Sequence, residues 1–398
     1  MDLNLQEIKN IDKQYYMNTF GERLPVAFEK GDGIKLYSTE GEEYYDFLGG
    51  IAVNSLGHSN PKFISSLKNQ LDKVIHTSSL YYIENQAILA KELCENSCAY
   101  KAFFASTGAE ANEGAIKLAK IYFYKQGKDK YEVISLDKSF HGRTLATVAA
   151  TGQEKYQKPY RPLIPGFSQV EPNNIEAIKA AITDKTAAIM IELIQGESGV
   201  YPMDKEYVEE LRKICDEKEI ILIFDEVQTG MGRTGEYFAH QYYGVEPDIF
   251  TCAKALGGGV PIGAIGAKDF VAKAFEPGDH GTTFGGNPFS TAAGLAVFKI
   301  YEEDKILDNV KKMSKYFMEK LGDLKASCSK IVDMRNAGLL IGIEIEEENA
   351  KAVFTKLFEK KYLTSLCKNT IRLAPPLIVT KEDIDGFIKA LKTTLEEI

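Results

Sequence analysis

Apolar residues fall along this chain in two rhythms. Four segments are almost continuously apolar: "YEVISL" at 131–136, "AAIMIEL" at 187–193, "IILIFDE" at 220–226 and "DIFTCA" at 248–253. Unbroken runs of this length predict strands covered on both faces, because a half-exposed strand would alternate. Between them the spacing changes. Ile175, Ile178 and Ile182, then Val208, Leu211 and Cys215, recur at i, i+3, i+7 and predict helices with one buried stripe. Strand, helix, strand in this order predicts an α/β fold, with a mainly parallel central sheet and helices on both faces. From about residue 290 the texture shifts to long amphipathic stretches around one short strand, "LLIGIEI". The closing helix has a stripe of Ile384, Phe387, Ile388, Leu391 and Leu395 and a capping box from Thr380 to Asp383. These features predict a smaller α+β domain. The expected division is a large domain over 51–290 and a C-terminal small domain over 291–398, joined by the N-terminal segment 1–50. Neither repeats nor low-complexity tracts interrupt the pattern.

A chain of 398 residues is long enough for a large core and for two subdomains. Its 44% hydrophobic and 26% charged content is ordinary for a globular protein. No segment has the apolar length of a membrane span, and "MDLNLQEIKNIDKQYY" lacks the apolar core of an export signal, so a cytoplasmic location and no membrane partner are expected. The net charge of -9, with basic residues scattered, argues against nucleic acid and for small-molecule partners. Cysteines at 94, 98, 215, 252, 328 and 367 are expected to be free thiols, since Cys94 and Cys98 have no histidine cluster nearby that would make a metal site.

The candidate chemistry sits where strands end. Lys254 closes "DIFTCA", where a charge is expensive, and precedes Gly257, Gly258 and Gly259, which allow close approach of the backbone. Asp225 and Glu226 end "IILIFDE", at the edge where parallel sheets place their ligands. Ser106, Thr107, Gly108 and Ala109 form a small-residue turn into a helix whose free NH groups suit a phosphate. By contrast "GMGRTG" at 230–235 fits the spacing of a dinucleotide fingerprint but does not follow its strand directly, so a nicotinamide-dependent oxidoreductase is a poor alternative. A phosphate cup, a buried acid and a buried amine together are what pyridoxal 5'-phosphate requires: a hold on its phosphate, a partner for its protonated ring nitrogen, and an amine that condenses with its aldehyde.

With those residues in view, the chain resembles the class III (subgroup II) pyridoxal-phosphate aminotransferases of fold type I. The likeness runs from "LYSTEGEEYYDFLGGIAVNSLGHSNP" through "STGAEANEGAIKLAK", "SFHGRT", "IELIQGESGV", "IFDEVQTGMGRTG", "AKALGGGVPIGA" and "HGTTFGGNP" to "IRLAPPLIV". It implies a transaminase in which Lys254 carries the cofactor and moves the proton, and in which 51–290 is the cofactor-binding domain. Ser106, Thr107, Gly108 and Ala109 would hold the phosphate, Phe140 and Val227 would cover the two ring faces, Asp225 would pair with the pyridine nitrogen, and Gln228 would reach the phenolic oxygen. The resemblance also implies a homodimer with a shared active site, Thr283 reaching the neighbour's phosphate. Arg143, with Thr282 close by, would take the carboxylate of an acylated amino acid. Arg372 would take that of 2-oxoglutarate or glutamate, and Glu197 would neutralise it in turn. Within the family the motifs point to N2-acetylornithine as amine donor, in arginine biosynthesis; succinylornithine, ornithine, 4-aminobutyrate and N-succinyl-diaminopimelate are the rivals, and an aminomutase is the rival of another reaction class. Ser198, where the family usually has glycine, and Thr282, where it often has serine, bear on that preference. His141 is given no role.

Overall fold

The computed structural model describes residues 3–398. Its largest sheet has seven strands, here β1 (Lys101–Ala105), β2 (Glu132–Leu136), β3 (Phe167–Val170), β4 (Thr186–Ile191), β5 (Ile221–Asp225), β6 (Ile249–Cys252) and β7 (Gly263–Ala267). Across the sheet they lie in the order β1, β7, β6, β5, β4, β2, β3. Neighbours from β6 to β3 pair parallel, while β7 runs antiparallel to both β6 and β1. The four apolar runs are therefore β2, β4, β5 and β6. Their lack of alternation has the expected cause. Ile221 and Ile223 face one core with Ala115, Leu118 and Phe123 of the helix Gly108–Lys125, whereas Leu222 and Phe224 face the other core with Val208, Leu211 and Cys215 of the helix Lys205–Lys218. Each such side chain contributes roughly 1.5–3 kcal/mol by leaving water, on both faces of the same strand.

Strand β7 carries no apolar run, and its composition explains why. A Cβ at Gly263 would stand 2.3 Å from the Thr107 carbonyl, and one at Gly266 would stand 2.4 Å from the Phe250 ring. The strand fits its slot by having almost no side chains there.

C-terminal to the sheet, Ile331–Ala337, Leu340–Ile345, Thr370–Leu373 and Ser365–Cys367 form an antiparallel four-stranded sheet in that spatial order. The helix Lys381–Glu396 starts with the capping box: Thr380 N–H donates to Asp383 Oδ2 at 2.9 Å, and Asp383 N–H donates to Thr380 Oγ1 at 3.3 Å. Residues 28–46 supply three more strands, and Tyr362–Leu363 pairs parallel with Glu43–Asp46, tying the N-terminal segment to the C-terminal part. Phe47 seals that contact by stacking on Phe387 with ring centroids 4.6 Å apart.

The six cysteines are free. Among the described residues there is no cluster able to hold a metal ion, and no helix long and apolar enough to cross a membrane.

Candidate active site

A cavity of about 530 Å³ opens at the carboxyl ends of the strands. It gathers Ser106, Thr107, Gly108 and Ala109, then Phe140 and Arg143, then Glu197, Asp225, Val227, Gln228 and Lys254. Segments more than a hundred residues apart thus meet where the sequence places its chemistry.

One wall is the start of the helix Gly108–Lys125. Thr107 is its N-cap, accepting from Glu110 N–H at 3.1 Å, and Glu110 in turn accepts from Ser106 N–H at 2.6 Å. The next NH groups have no acceptor within the helix and border the cavity. Gly108 is required by crowding, since a Cβ there would lie 2.7 Å from Val227 Cγ1 and 3.4 Å from Ala253 Cβ.

The floor is Asp225, only 4% exposed. Its Oδ2 accepts from Asn112 Nδ2 and from His141 Nδ1, both at 2.8 Å, and its Oδ1 accepts from Val227 N–H at 3.0 Å. Asn112 is fixed as well, donating to the His141 carbonyl at 2.7 Å and accepting from Thr251 Oγ1 at 2.6 Å. Three donors on one carboxylate fix its orientation. The neighbouring Glu226 has a different task. Its side chain is wholly buried and accepts from Ala239 N–H, from His240 N–H at 2.9 Å and from His240 Nδ1 at 2.8 Å, so it caps the short helix Ala239–Tyr243.

Lys254 follows β6 with φ of 47°, a left-handed conformation that costs about 1 kcal/mol or more for a residue with a Cβ. Burial brings its amine down from the ordinary lysine range to about 8; Arg372 pushes the same way, while Glu197, Asp225 and Glu192 oppose. Glu192 is a further buried acid on the cavity, accepting from Phe140 N–H at 2.8 Å. Desolvation, then the charge of Asp225, raise its carboxyl well above the usual range.

Across the cavity Arg372, also 4% exposed, donates from Nη1 to Glu197 Oε1 at 2.7 Å and from Nε to Ser365 Oγ at 2.9 Å. Burial pushes the Glu197 carboxyl up, but the charge and hydrogen bond of Arg372 outweigh it, and the group titrates below its usual range. Gln228 Nε2 adds a longer bond to Glu197 at 3.3 Å, leaving Gln228 Oε1 buried with no partner. Arg143 is exposed, its guanidinium 4.0 Å from the Tyr156 ring centroid and 5.8 Å from that of Phe140.

Thr282 and Thr283 do not reach this cavity within one chain. Thr282 accepts from Gly285 N–H at 3.1 Å and lines a separate hollow with Gln86 and His280, and Thr283 is exposed. Sequence reasoning named neither Glu192 nor Asn112 and gave His141 no role. Asn112 did carry a signal: a polar residue on the helix face otherwise made of Ala111, Ala115 and Ala119 is a buried polar group in need of partners. In the "GMGRTG" loop Arg233 is buried, donating to the carbonyls of Leu339 at 3.2 Å and Pro375 at 2.5 Å.

Residues 16–395 match the family model for aminotransferase class III. The chain belongs to the class III aminotransferases. An acetylornithine aminotransferase of Methanocaldococcus jannaschii is 51% identical to it over 98% of each chain. One of Caldanaerobacter subterraneus subsp. tengcongensis is 48% identical, over 97% of this chain and 98% of its own. Among solved structures, the ornithine aminotransferase of Toxoplasma gondii superposes with a TM-score of 0.95 at 28% identity, covering 99% of this chain and 95% of that one. The acetylornithine aminotransferase of Elizabethkingia anophelis gives 0.88 at 28% identity with both chains fully covered. The protein is accordingly a pyridoxal-phosphate-dependent transaminase of fold type I. Its cavity suits that cofactor: open NH groups at the glycine turn for a phosphate, a triply held carboxylate for a ring nitrogen, an unpartnered Gln228 Oε1, and a lysine whose amine is partly uncharged at neutral pH.

Proposed function

We propose that this class III aminotransferase moves the terminal amino group of N2-acetyl-L-ornithine to 2-oxoglutarate, giving N-acetyl-L-glutamate 5-semialdehyde and L-glutamate, as a cytoplasmic step of arginine biosynthesis. The observation that carries the proposal is the inequality of two arginines: Arg143 lines the cavity, whereas Arg372 meets it through Glu197, which borders it. Arg143 is open to a carboxylate, while Arg372 is already neutralised by Glu197 at 2.7 Å. A donor that reacts at its far amine presents no carboxylate beside Lys254 and leaves the internal pair intact, its own carboxylate resting on Arg143. Glutamate reacts next to its α-carboxylate and takes Arg372 from Glu197. Bidentate pairing fixes direction as well as charge in both cases. The relatives named for acetylornithine, at 43–51% identity, point to the same donor.

When bound, the cofactor supplies an aldehyde that carries the substrate amine and a pyridinium that draws off electrons from the reacting carbon. The protein supplies the rest. Asp225 keeps a proton on the ring nitrogen, Phe140 and Val227 cover the ring faces, and Gln228 meets the phenolic oxygen. Ser106, Thr107, Gly108 and Ala109 would hold the phosphate, and Lys254, its amine brought down to about 8, would carry the proton at the reacting carbon. The same proposal includes a large cofactor-binding domain over 51–290 and a small one built from 1–50 and 291–398.

It also includes a homodimer. His76 and Phe284 meet with ring centroids 5.4 Å apart in a region where Ile75, Leu80, Tyr81, Tyr82 and Phe284 are all exposed. Burial of that apolar surface against a second copy would bring Thr282 and Thr283, which lie beside it, to the neighbour's cavity. Steady-state kinetics with N2-acetylornithine, succinylornithine, ornithine and 4-aminobutyrate side by side test the donor. The highest kcat/KM is expected for acetylornithine, and a higher value for any of the others would replace it as the substrate.

A further inference from the structure

A second cavity, of about 510 Å³, lies behind the Arg372–Glu197 pair and shares both residues' surfaces. Glu197 lines this cavity and the active-site cavity alike. Tyr156 stands at the partition: Arg143 covers its ring at 4.0 Å and Lys155 at 4.6 Å.

The charge of the second cavity is lopsided. Lys138, Lys155 and Lys368 line it, and among the described residues none of them is ion-paired with a carboxylate. Of its two acidic residues, Glu154 is held by Arg161 at 2.6 Å and Glu197 by Arg372 at 2.7 Å. Three unneutralised cations around one hollow run against a chain whose net charge is -9. Lys138 and Lys368 also sit in left-handed backbone, with φ of 65° and 55°, a cost normally tolerated where a position matters. Lys155, Arg372 and Glu197 line this hollow together with Cys367, whose thiol is pushed up by burial.

We propose that this cavity is the receiving pocket for the Glu197 carboxylate: when a dicarboxylate takes Arg372, Glu197 turns outward to Lys155, with Lys138 and Lys368 completing the cationic wall. The inference rests on the dicarboxylate half of the proposed function. A carboxylate displaced from a buried arginine has to find another cation or water, since a half-buried charge without a partner is costly. The active-site cavity offers it Lys254, needed for chemistry, Arg143, which the proposed function gives to a substrate carboxylate, and the arriving substrate, of like charge. The second cavity offers three ammonium groups at the far side of the same residue. The lysines thereby set how readily the site exchanges its internal carboxylate for that of a substrate, without touching substrate themselves.

Glutarate, which is a dicarboxylate without a reacting group, is the probe, titrated calorimetrically into the holoenzyme. Lys155→Gln should weaken its binding several-fold, and the triple change Lys138→Gln, Lys155→Gln, Lys368→Gln about tenfold, as expected for loss of partly screened charge pairs. In a Glu197→Gln background, where no charge needs a new home, the same lysine changes should alter glutarate affinity by less than about twofold. In turnover, KM for 2-oxoglutarate should rise while KM for the amine donor stays put. Unchanged glutarate binding in the lysine variants would overturn the pocket. So would a loss that persists in full beside Glu197→Gln, because the lysines would then act on the substrate by long-range attraction. If the unaltered enzyme binds no glutarate, the dicarboxylate role of Arg372 fails and the pocket with it. If glutarate binds as expected but acetylornithine is not turned over, only the donor is wrong.

Discussion

Asp225 and Glu197 are carboxylates that line one cavity, the first buried and the second half-buried, and they are held in opposite ways. Asp225 has three donors, of which Asn112 and His141 are themselves tied down, so its position has no alternative. Glu197 is held mainly by one strong partner, Arg372, with a single long bond from Gln228 and a quarter of its side chain exposed. The floor of the site is built to stay still, as a constant cofactor demands. The far wall, with one strong partner for its charge, is the part that the proposed two-substrate cycle would ask to exchange. The difference follows both the number of partners per charge and the burial, Asp225 being 4% exposed and the Glu197 side chain 25%.

The largest effect should come from the floor. Lys254→Ala is expected to lower turnover by at least the 10²–10⁴-fold typical of a positioned proton carrier, while the protein still takes up cofactor noncovalently at the glycine turn. Borohydride reduction followed by peptide mapping checks the attachment, and label on any lysine other than Lys254 would break the assignment. Next is the open side of the wall. Arg143→Ala should cost the acetylornithine half-reaction roughly 2–5 kcal/mol, the range for truncating one side of a charge-assisted pair, and the glutamate half-reaction much less. Single-turnover spectroscopy separates the two, and equal losses would show that the arginines do not divide the carboxylates between them.

A pH series sharpens the contrast at the scale of tenfold. Lysine ordinarily titrates near 10.4, and the folded site brings Lys254 to about 8, so the uncharged amine grows with rising pH and levels off above that value. Capture of pyridoxal phosphate by cofactor-free enzyme should accelerate on the order of tenfold from pH 6.5 to 8 and then flatten. A rise continuing unchanged to pH 10 would mean that the lysine is not desolvated. The smallest effect is the most diagnostic of exchange. Glu197→Ala should speed the glutamate half-reaction, or lower its apparent KM, by a few-fold, and should weaken the preference for the terminal over the α-amine when ornithine is offered. If both half-reactions slow alike with the choice of amine unchanged, Glu197 is scaffold and the wall is as fixed as the floor.

The legible parts of the sequence were those where one residue type has one physical use. Continuous apolar runs gave β2, β4, β5 and β6, and the Thr380–Asp383 spacing marked a helix start that the structure contains. Lys254 was legible because a lone charge at the end of an apolar strand needs a reason. Strand β7 was not, because close packing against Thr107 and Phe250 excludes the side chains that would have announced it. Glu192 was hidden for a different reason. Inside "AAIMIEL" it looks like the polar end of a strand, and only the fold sets it beside Asp225 and the Phe140 backbone. Asp225 and Glu226 are adjacent and chemically alike; which one serves the cofactor and which caps a helix depends on the pleat of β5, which turns them to opposite sides.

Arg233, in the loop that imitates a nucleotide fingerprint, has a consequence for how mutants of this enzyme would be interpreted. It carries a buried charge that burial brings down to about 10, and its hydrogen bonds go to backbone carbonyls of a different sheet's connections. One of those carbonyls belongs to Pro375, three residues beyond Arg372. The arginine acts as a spacer gauge: it ties the loop after β5, the strand that ends at Asp225, to the chain just beyond Arg372. Damage to such a gauge would look like damage to catalysis. A survey of inactive variants that scored only turnover would place Arg233 among the reacting groups, although every reacting group would still be present and merely out of reach.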